Sequence, residues 1–173
     1  MTKVSVETTI KLFPGKPYMK KTNIIEASAL ESHLGFWLRF VSNQVSSCFE
    51  SQLATYGISV TEWVAMRALY GRLDVTHAEL IDALGMTKGA ASKIISKLES
   101  KGLAKRNQAK DSLREQALCL SDEGNRLVPK LAALADENDA RFFGHLPDSQ
   151  RQSLLVLLKE LVAHHQLKQV PIK

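Results

Sequence analysis

Residues 86–114 carry eight lysines and arginines against two carboxylates, whereas the rest of the chain carries fifteen basic and sixteen acidic side chains. The net charge of +5 therefore divides into +6 in one stretch and −1 elsewhere. A basic patch on a balanced protein is an electrostatic footprint for a polyanion. Within it, Thr87 can cap a helix running to about Ser100. Ile94, Ile95 and Leu98 would face inward, leaving Lys88, Gly89, Ala90, Ser92, Lys93 and Lys97 outward. Small residues near a helix N-terminus let it approach base edges, because nothing bulky holds it off. The three lysines are spaced to follow a phosphate backbone, and the Ser92 hydroxyl can donate to a base or phosphate. Lys105, Arg106, Lys110 and Arg114 supply further cations downstream. Double-stranded DNA is the leading partner.

Other chemistry is sparse. There is no Gly-rich phosphate loop, no nucleophile elbow and no paired His/Glu metal motif, so an enzyme is the weakest class. Cys48 and Cys119 are far apart and lie in no metal-ligand spacing, which argues against a disulfide framework and a zinc site. His164 and His165 are adjacent, so on a helix they would project in different directions and make poor co-ligands. No metal or cofactor is expected. The composition, 45% hydrophobic, is that of a soluble globular protein. No apolar run approaches the roughly 18 residues of a membrane span, and no secretory h-region opens the chain. The cytoplasm is the expected compartment, with no membrane partner.

The elements that would position the cations can be read from periodicity and caps. Residues 1–26 form a basic N-terminal arm interrupted by Pro14, Gly15 and Pro17. It is either loosely docked or reaches toward DNA or a partner subunit. From about Ala27 to Tyr56, apolar residues recur at steps of three, four and seven, which predicts a long helix closed by Gly57. Thr61 can cap the next helix, with Glu62 in its first turn and Val64, Ala68 and Leu69 inward. Val75 and Thr76 read as a short extended piece. Thr76 and Glu79 fit a capping box opening a brief helix through Leu84, and Gly85 supplies the turn to the Thr87 helix. Two helices joined this way are a helix-turn-helix. Strands are predicted at 103–107 and 115–120, with a polar loop at 108–114 as a wing. Ser121 caps a further helix containing Pro129. The last helix starts near Pro147 or Asp148 and bears a stripe of Leu154, Leu157, Leu158 and Leu161. That stripe suits either an intramolecular core or a helical dimer interface, and the dimer is the favoured reading.

The fold class is thus mainly α with a small β-wing: a winged helix-turn-helix DNA-binding domain at 58–121 and a helical dimerisation region at 27–57 and 122–168. This order resembles that of the MarR family of dimeric bacterial regulators, over about residues 28–166. The segment Glu79 to Leu103 is similar to the family's recognition helix running into L-x-x-K-G-L, and Leu120-Ser121-Asp122-Glu123-Gly124 resembles its L-T-x-x-G. One departure lies in the wing, where the family carries D-x-R. Asp111 stands three residues before Arg114 rather than two. Arg114 carries over as the wing-tip arginine, suited to a narrow minor groove, and the aspartate does not carry over with it.

The resemblance implies a homodimeric, ligand-responsive transcriptional repressor on a palindromic operator, each subunit laying the Thr87–Ser100 helix in the major groove. It also implies an effector site between the dimer helices and the winged domain. His33, Trp37, Arg39, Trp63, Met66, Arg67 and Tyr70 could line it, because aromatic walls with a cation suit a small aromatic or phenolic anion. The equal alternative is that the tryptophans and Met66 are core. Thiol sensing, used by some relatives, would need an exposed low-pKa cysteine, and Cys48 and Cys119 read instead as packing residues. The competing class is a winged helix used for architectural DNA binding or for protein contact, without a small-molecule ligand.

Overall fold

A computed structural model describes residues 27–109 and 112–167; the arm at 1–26 lies outside them. The elements are α1 (Leu34–Ala54), α2 (Val60–Leu69), β1 (Val75–Thr76), α3 (His77–Leu84), α4 (Lys88–Ser100), β2 (Ala104–Ala109), β3 (Ser112–Leu120), α5 (Asp122–Phe143) and α6 (Asp148–His164). The sheet is antiparallel in the order β1-β3-β2.

The first helix is shorter than its apolar period predicts. A single 3-10 turn, Leu30–Ser32, precedes it, and His33 is extended at φ −94, ψ 123. The Trp37 indole N–H donates to the Glu31 carbonyl at 2.8 Å, tying this turn to α1. At the other end Gly57 takes φ +66, which lets the Ile58 N–H reach the Leu53 carbonyl at 3.1 Å.

The caps are mostly where local chemistry puts them. Thr76 and Glu79 form the reciprocal box that opens α3, and Gly85 ends it in the left-handed conformation. Ser121 accepts from the Gly124 N–H to open α5, and α5 continues through Pro129. The exception is α2, whose cap is Ser59 rather than Thr61. The Ser59 hydroxyl accepts from the Glu62 N–H, and the Glu62 carboxylate accepts from the Ser59 N–H at 2.7 Å.

The wing also differs from expectation. The β2–β3 ladder pairs Ala104 with Leu120 and continues to Ala109 opposite Ser112, with an irregularity at Gln108/Ala109. Backbone pairing needs no apolar side chains, so it runs on through residues that a polarity pattern assigns to loop.

One core joins the end of α1 to the winged module. Leu53, Met66, Leu69, Leu80, Leu84, Ile95, Leu98, Val128 and Leu131 are all but fully buried. Each contributes about 2 kcal/mol relative to an exposed side chain. Leu69 is buried as expected and Val64 and Ala68, half-buried, pack against the same core, but the buried face of α2 extends further than predicted, to Trp63, Ala65 and Met66. Outside this core the pattern reverses. α6 buries no residue, and Leu154, Leu155, Val156, Leu157, Leu158, Leu161 and Val162 are all exposed.

Candidate nucleic-acid interface

α4 is divided lengthwise. Ala91, Ile94, Ile95 and Leu98 are buried, which fixes the helix against the core. Lys88, Gly89, Lys93 and Lys97 are exposed, and Ala90 and Ser92 are half-buried at the margin. The Thr87 hydroxyl accepts from the Ala90 N–H at 3.3 Å, and beyond the adjacent helix backbone nothing lies within 4 Å of where a Gly89 side chain would start. The N-terminal turn is therefore both capped and slim. At its other end Gly102 has φ +69, and the Leu103 N–H closes on the Leu98 carbonyl at 2.8 Å. Both ends being tied, the lysine face is held as a rigid unit.

The basic stretch does not present all of its cations. Lys101 donates to the Glu62 carboxylate at 2.6 Å, and Arg106 pairs with Glu99 at 3.1 Å. Arg106, expected among the outward cations, is exposed but paired at the surface. Among the described residues Lys88, Lys93, Lys97 and Lys105 form no ion pair and are exposed. Lys110 lies outside the described residues, and Arg114 belongs to β3 by its backbone. Burial pushes the Glu62 carboxyl upward, but the hydrogen bonds from Lys101 and from the Ser59 amide and hydroxyl outweigh it. The net result is a pKa below the ordinary carboxylate value.

Sequence reasoning missed one polar contact on this face. Ser92 Oγ and His77 Nε2 share a hydrogen bond at 3.2 Å, joining α3 to α4. Ser92 thus reaches any ligand with one partner already in place. The residues stand fifteen apart, and only the folded turn brings them together.

The seven residues considered for an effector fall into two groups. Trp37 packs edge-on against Phe36 and Phe40 near the start of α1, beside exposed His33 and Arg39. Trp63 instead meets Phe49, twelve residues further along α1, or about 18 Å of helix rise. The Arg67 guanidinium lies over Trp63 at 5.7 Å and over Tyr70 at 5.8 Å, and both Arg67 and Tyr70 are exposed. Within one subunit the two groups do not converge, and Met66 is sealed in the core.

The remaining expectations concern thiols and metals. Cys119 is buried and accepts from the Asn107 amide at 3.3 Å; Cys48 is half-buried and accepts from Arg141 at 3.4 Å. The His164 and His165 rings approach edge-to-face, with centroids 4.8 Å apart, rather than diverging. Among the described residues no group of three or more His, Cys, Asp or Glu side chains is placed to hold a metal ion. Nor is any described helix long and apolar enough to cross a membrane.

Comparison with known proteins gives a consistent picture. The MarR family model matches residues 56–114, from the end of α1 into the wing. Transcriptional regulator HosA of Escherichia coli is 22% identical over 101 residues, covering 58% of this chain and 75% of HosA. CouR from Rhodococcus jostii RHA1, solved bound to p-coumaroyl-CoA, superposes with a TM-score of 0.67 at 21% identity, over 78% of this chain and 95% of CouR. MepR of S. aureus, solved as a DNA complex, superposes with a TM-score of 0.67 at 18% identity, over 76% of this chain and 98% of MepR.

Proposed function

We propose that the chain, matched by the MarR family model over residues 56–114, is a MarR-family transcriptional regulator that acts as a homodimeric repressor, each subunit inserting α4 into the major groove of one half of a palindromic operator. The observation that carries this reading is the division of α4, apolar and buried on one side, lysine-studded with a slim capped N-terminus on the other. Lys88, Lys93 and Lys97 would follow the phosphates while Gly89 and Ala90 admit the base edges. Lys105, Lys110 and Arg114 would extend the contact toward the adjacent minor groove. Repression would follow by steric exclusion of polymerase in the bacterial cytoplasm.

The dimer reading is supported by α6. Its residues Leu154 to Leu158 are consecutive apolar side chains that cover the whole circumference of the helix, and none is buried. A helix apolar on all sides needs cover on more than one side, and a second copy of α1, α5 and α6 would supply it. Leu158→Glu should yield monomers by sedimentation velocity, whereas an unchanged dimer would refute this interface.

An effector of the aromatic-anion class would suit the Arg67 guanidinium between Trp63 and Tyr70. CouR, similar in fold, was solved with p-coumaroyl-CoA. Salicylate should quench tryptophan fluorescence and lower DNA affinity; titration without quenching would remove this class.

Enrichment of duplex from a random library tests the main reading. Recovery of an imperfect palindrome with half-sites about one helical turn, roughly 10 base pairs, apart is expected. Equal affinity for scrambled duplex would mean an architectural role, and no affinity for any duplex would leave protein contact.

A further inference from the structure

Lys101 lies in the basic stretch, yet its ammonium is engaged by partners within the same chain. Nζ donates to Glu62 Oε1 at 2.6 Å and to the Gly57 carbonyl at 2.7 Å. Three elements meet there. Gly57 forms the left-handed turn that closes α1. Glu62, only 3% exposed, sits in the first turn of α2 and also accepts from the Ser59 amide and hydroxyl at 2.7 and 2.8 Å. Lys101 itself caps the C-terminal end of α4, its N–H bonded to the Lys97 carbonyl at 3.1 Å. The ammonium therefore ties the end of α4 to the joint between α1 and α2.

This arrangement separates Lys101 from its neighbours in the basic stretch. Swinging it out to a phosphate would strand the Glu62 carboxylate, buried and without its cation, which costs more than a surface phosphate contact returns. We propose that Lys101 is a positioning residue for operator recognition: by clamping α4 to the α1–α2 turn it sets the angle between the two helices, and so the half-site spacing that a pair of subunits reads. The inference rests on the reading that α4 enters the major groove of a dimer's operator. α1 belongs to the region expected to join the subunits, so any freedom between α4 and α1 becomes freedom in the distance between two recognition helices.

The experiment uses full-length protein and the duplex enriched by the wild type, with matched duplexes carrying one base pair more or fewer between half-sites. Each change moves the half-sites by about 3.4 Å and rotates them about the duplex axis. Wild type should discriminate against the altered spacings by about a hundredfold. Lys101→Met keeps the aliphatic stem and removes the ammonium. It should bind the original spacing about tenfold more weakly, because the two recognition helices are no longer held at one separation, and discriminate less than tenfold between spacings. Its log-log salt slope should match wild type, whereas Lys97→Ala should make the slope shallower by about 2 per dimer. The double variant Glu62→Gln, Lys101→Met removes the stranded carboxylate; it should fold even where the single variant does not, and show the same loss of spacing discrimination. A Lys101→Met slope as shallow as that of Lys97→Ala, or wild-type spacing discrimination in the folded double variant, overturns the inference. Failure of the wild type to enrich any duplex is a different result, which overturns the operator reading and this inference with it.

Discussion

Two glycine-to-alanine substitutions, each in the first turn of a helix, should have opposite effects. A Cβ on Gly124 would stand 2.1 Å from the Leu103 carbonyl oxygen and 3.3 Å from Leu120 Cβ. Ordinary C···O approach is about 3.3 Å, so the start of α5 and the root of the wing must part by about 1 Å. Neither side yields easily. The Leu103 carbonyl accepts from the Ser121 N–H at 3.0 Å, and the Ser121 hydroxyl donates to the Gly102 carbonyl at 2.6 Å. Overpacking of this kind costs up to about 3 kcal/mol, against which alanine's helix propensity returns about 1. A net loss near 2 kcal/mol should lower Tm by about 4–8 °C. Gly89, by contrast, faces open space. Gly89→Ala should raise stability by about 0.5–1 kcal/mol, while weakening operator binding by about tenfold, because the added methyl holds α4 off the base edges. Calorimetry at one fixed protein concentration, paired with fluorescence anisotropy on operator duplex, reads both. An unchanged or raised Tm for Gly124→Ala would refute the close approach of α5 to the wing root. A lowered Tm together with full affinity for Gly89→Ala would refute the exposed, groove-facing first turn.

The Glu62 carboxyl is held below its ordinary value, so its ionised form adds stability above about pH 4.5 that is lost as the pH falls through the folded-state value. Urea titrations should therefore show a steeper acid-side loss in wild type than in Glu62→Gln, and parallel profiles would contradict the Lys101 pairing. Thr87→Ala removes the hydroxyl that caps α4 and should cost about 1 kcal/mol, with faster amide exchange at Ala90 than in wild type; unchanged exchange there would count against the cap.

What was legible in the sequence was local. Thr76, Thr87 and Ser121 each declare a helix start within three residues, and Gly85 and Gly102 declare the stops, so the helix-turn-helix and the lysine face of α4 could be read directly. Ser59 was legible too, since Glu62 follows it at the capping-box interval, but Thr61 stood nearer the apolar run and drew the assignment. The start of α1 was not, because an apolar period says which residues share a face and nothing of where the backbone leaves the helix; the backbone leaves it at His33, flanked by the Trp37–Glu31 and Ser28–His33 hydrogen bonds. Least legible were the pairs that cross the fold. Lys101 and Glu62 are 39 residues apart and Ser92 and His77 are fifteen apart. No spacing rule links them, so the sequence assigns Lys101 no partner, although its ammonium is engaged by Glu62 and the Gly57 carbonyl.

Salt dependence of binding to the enriched duplex reports how many phosphates the lysine face of α4 meets. With Lys88, Lys93, Lys97 and Lys105 presented by each subunit, a dimer would neutralise about eight phosphates and the log-log slope should lie near −7. A slope near zero would mean that the lysine face of α4 does not meet the phosphate backbone.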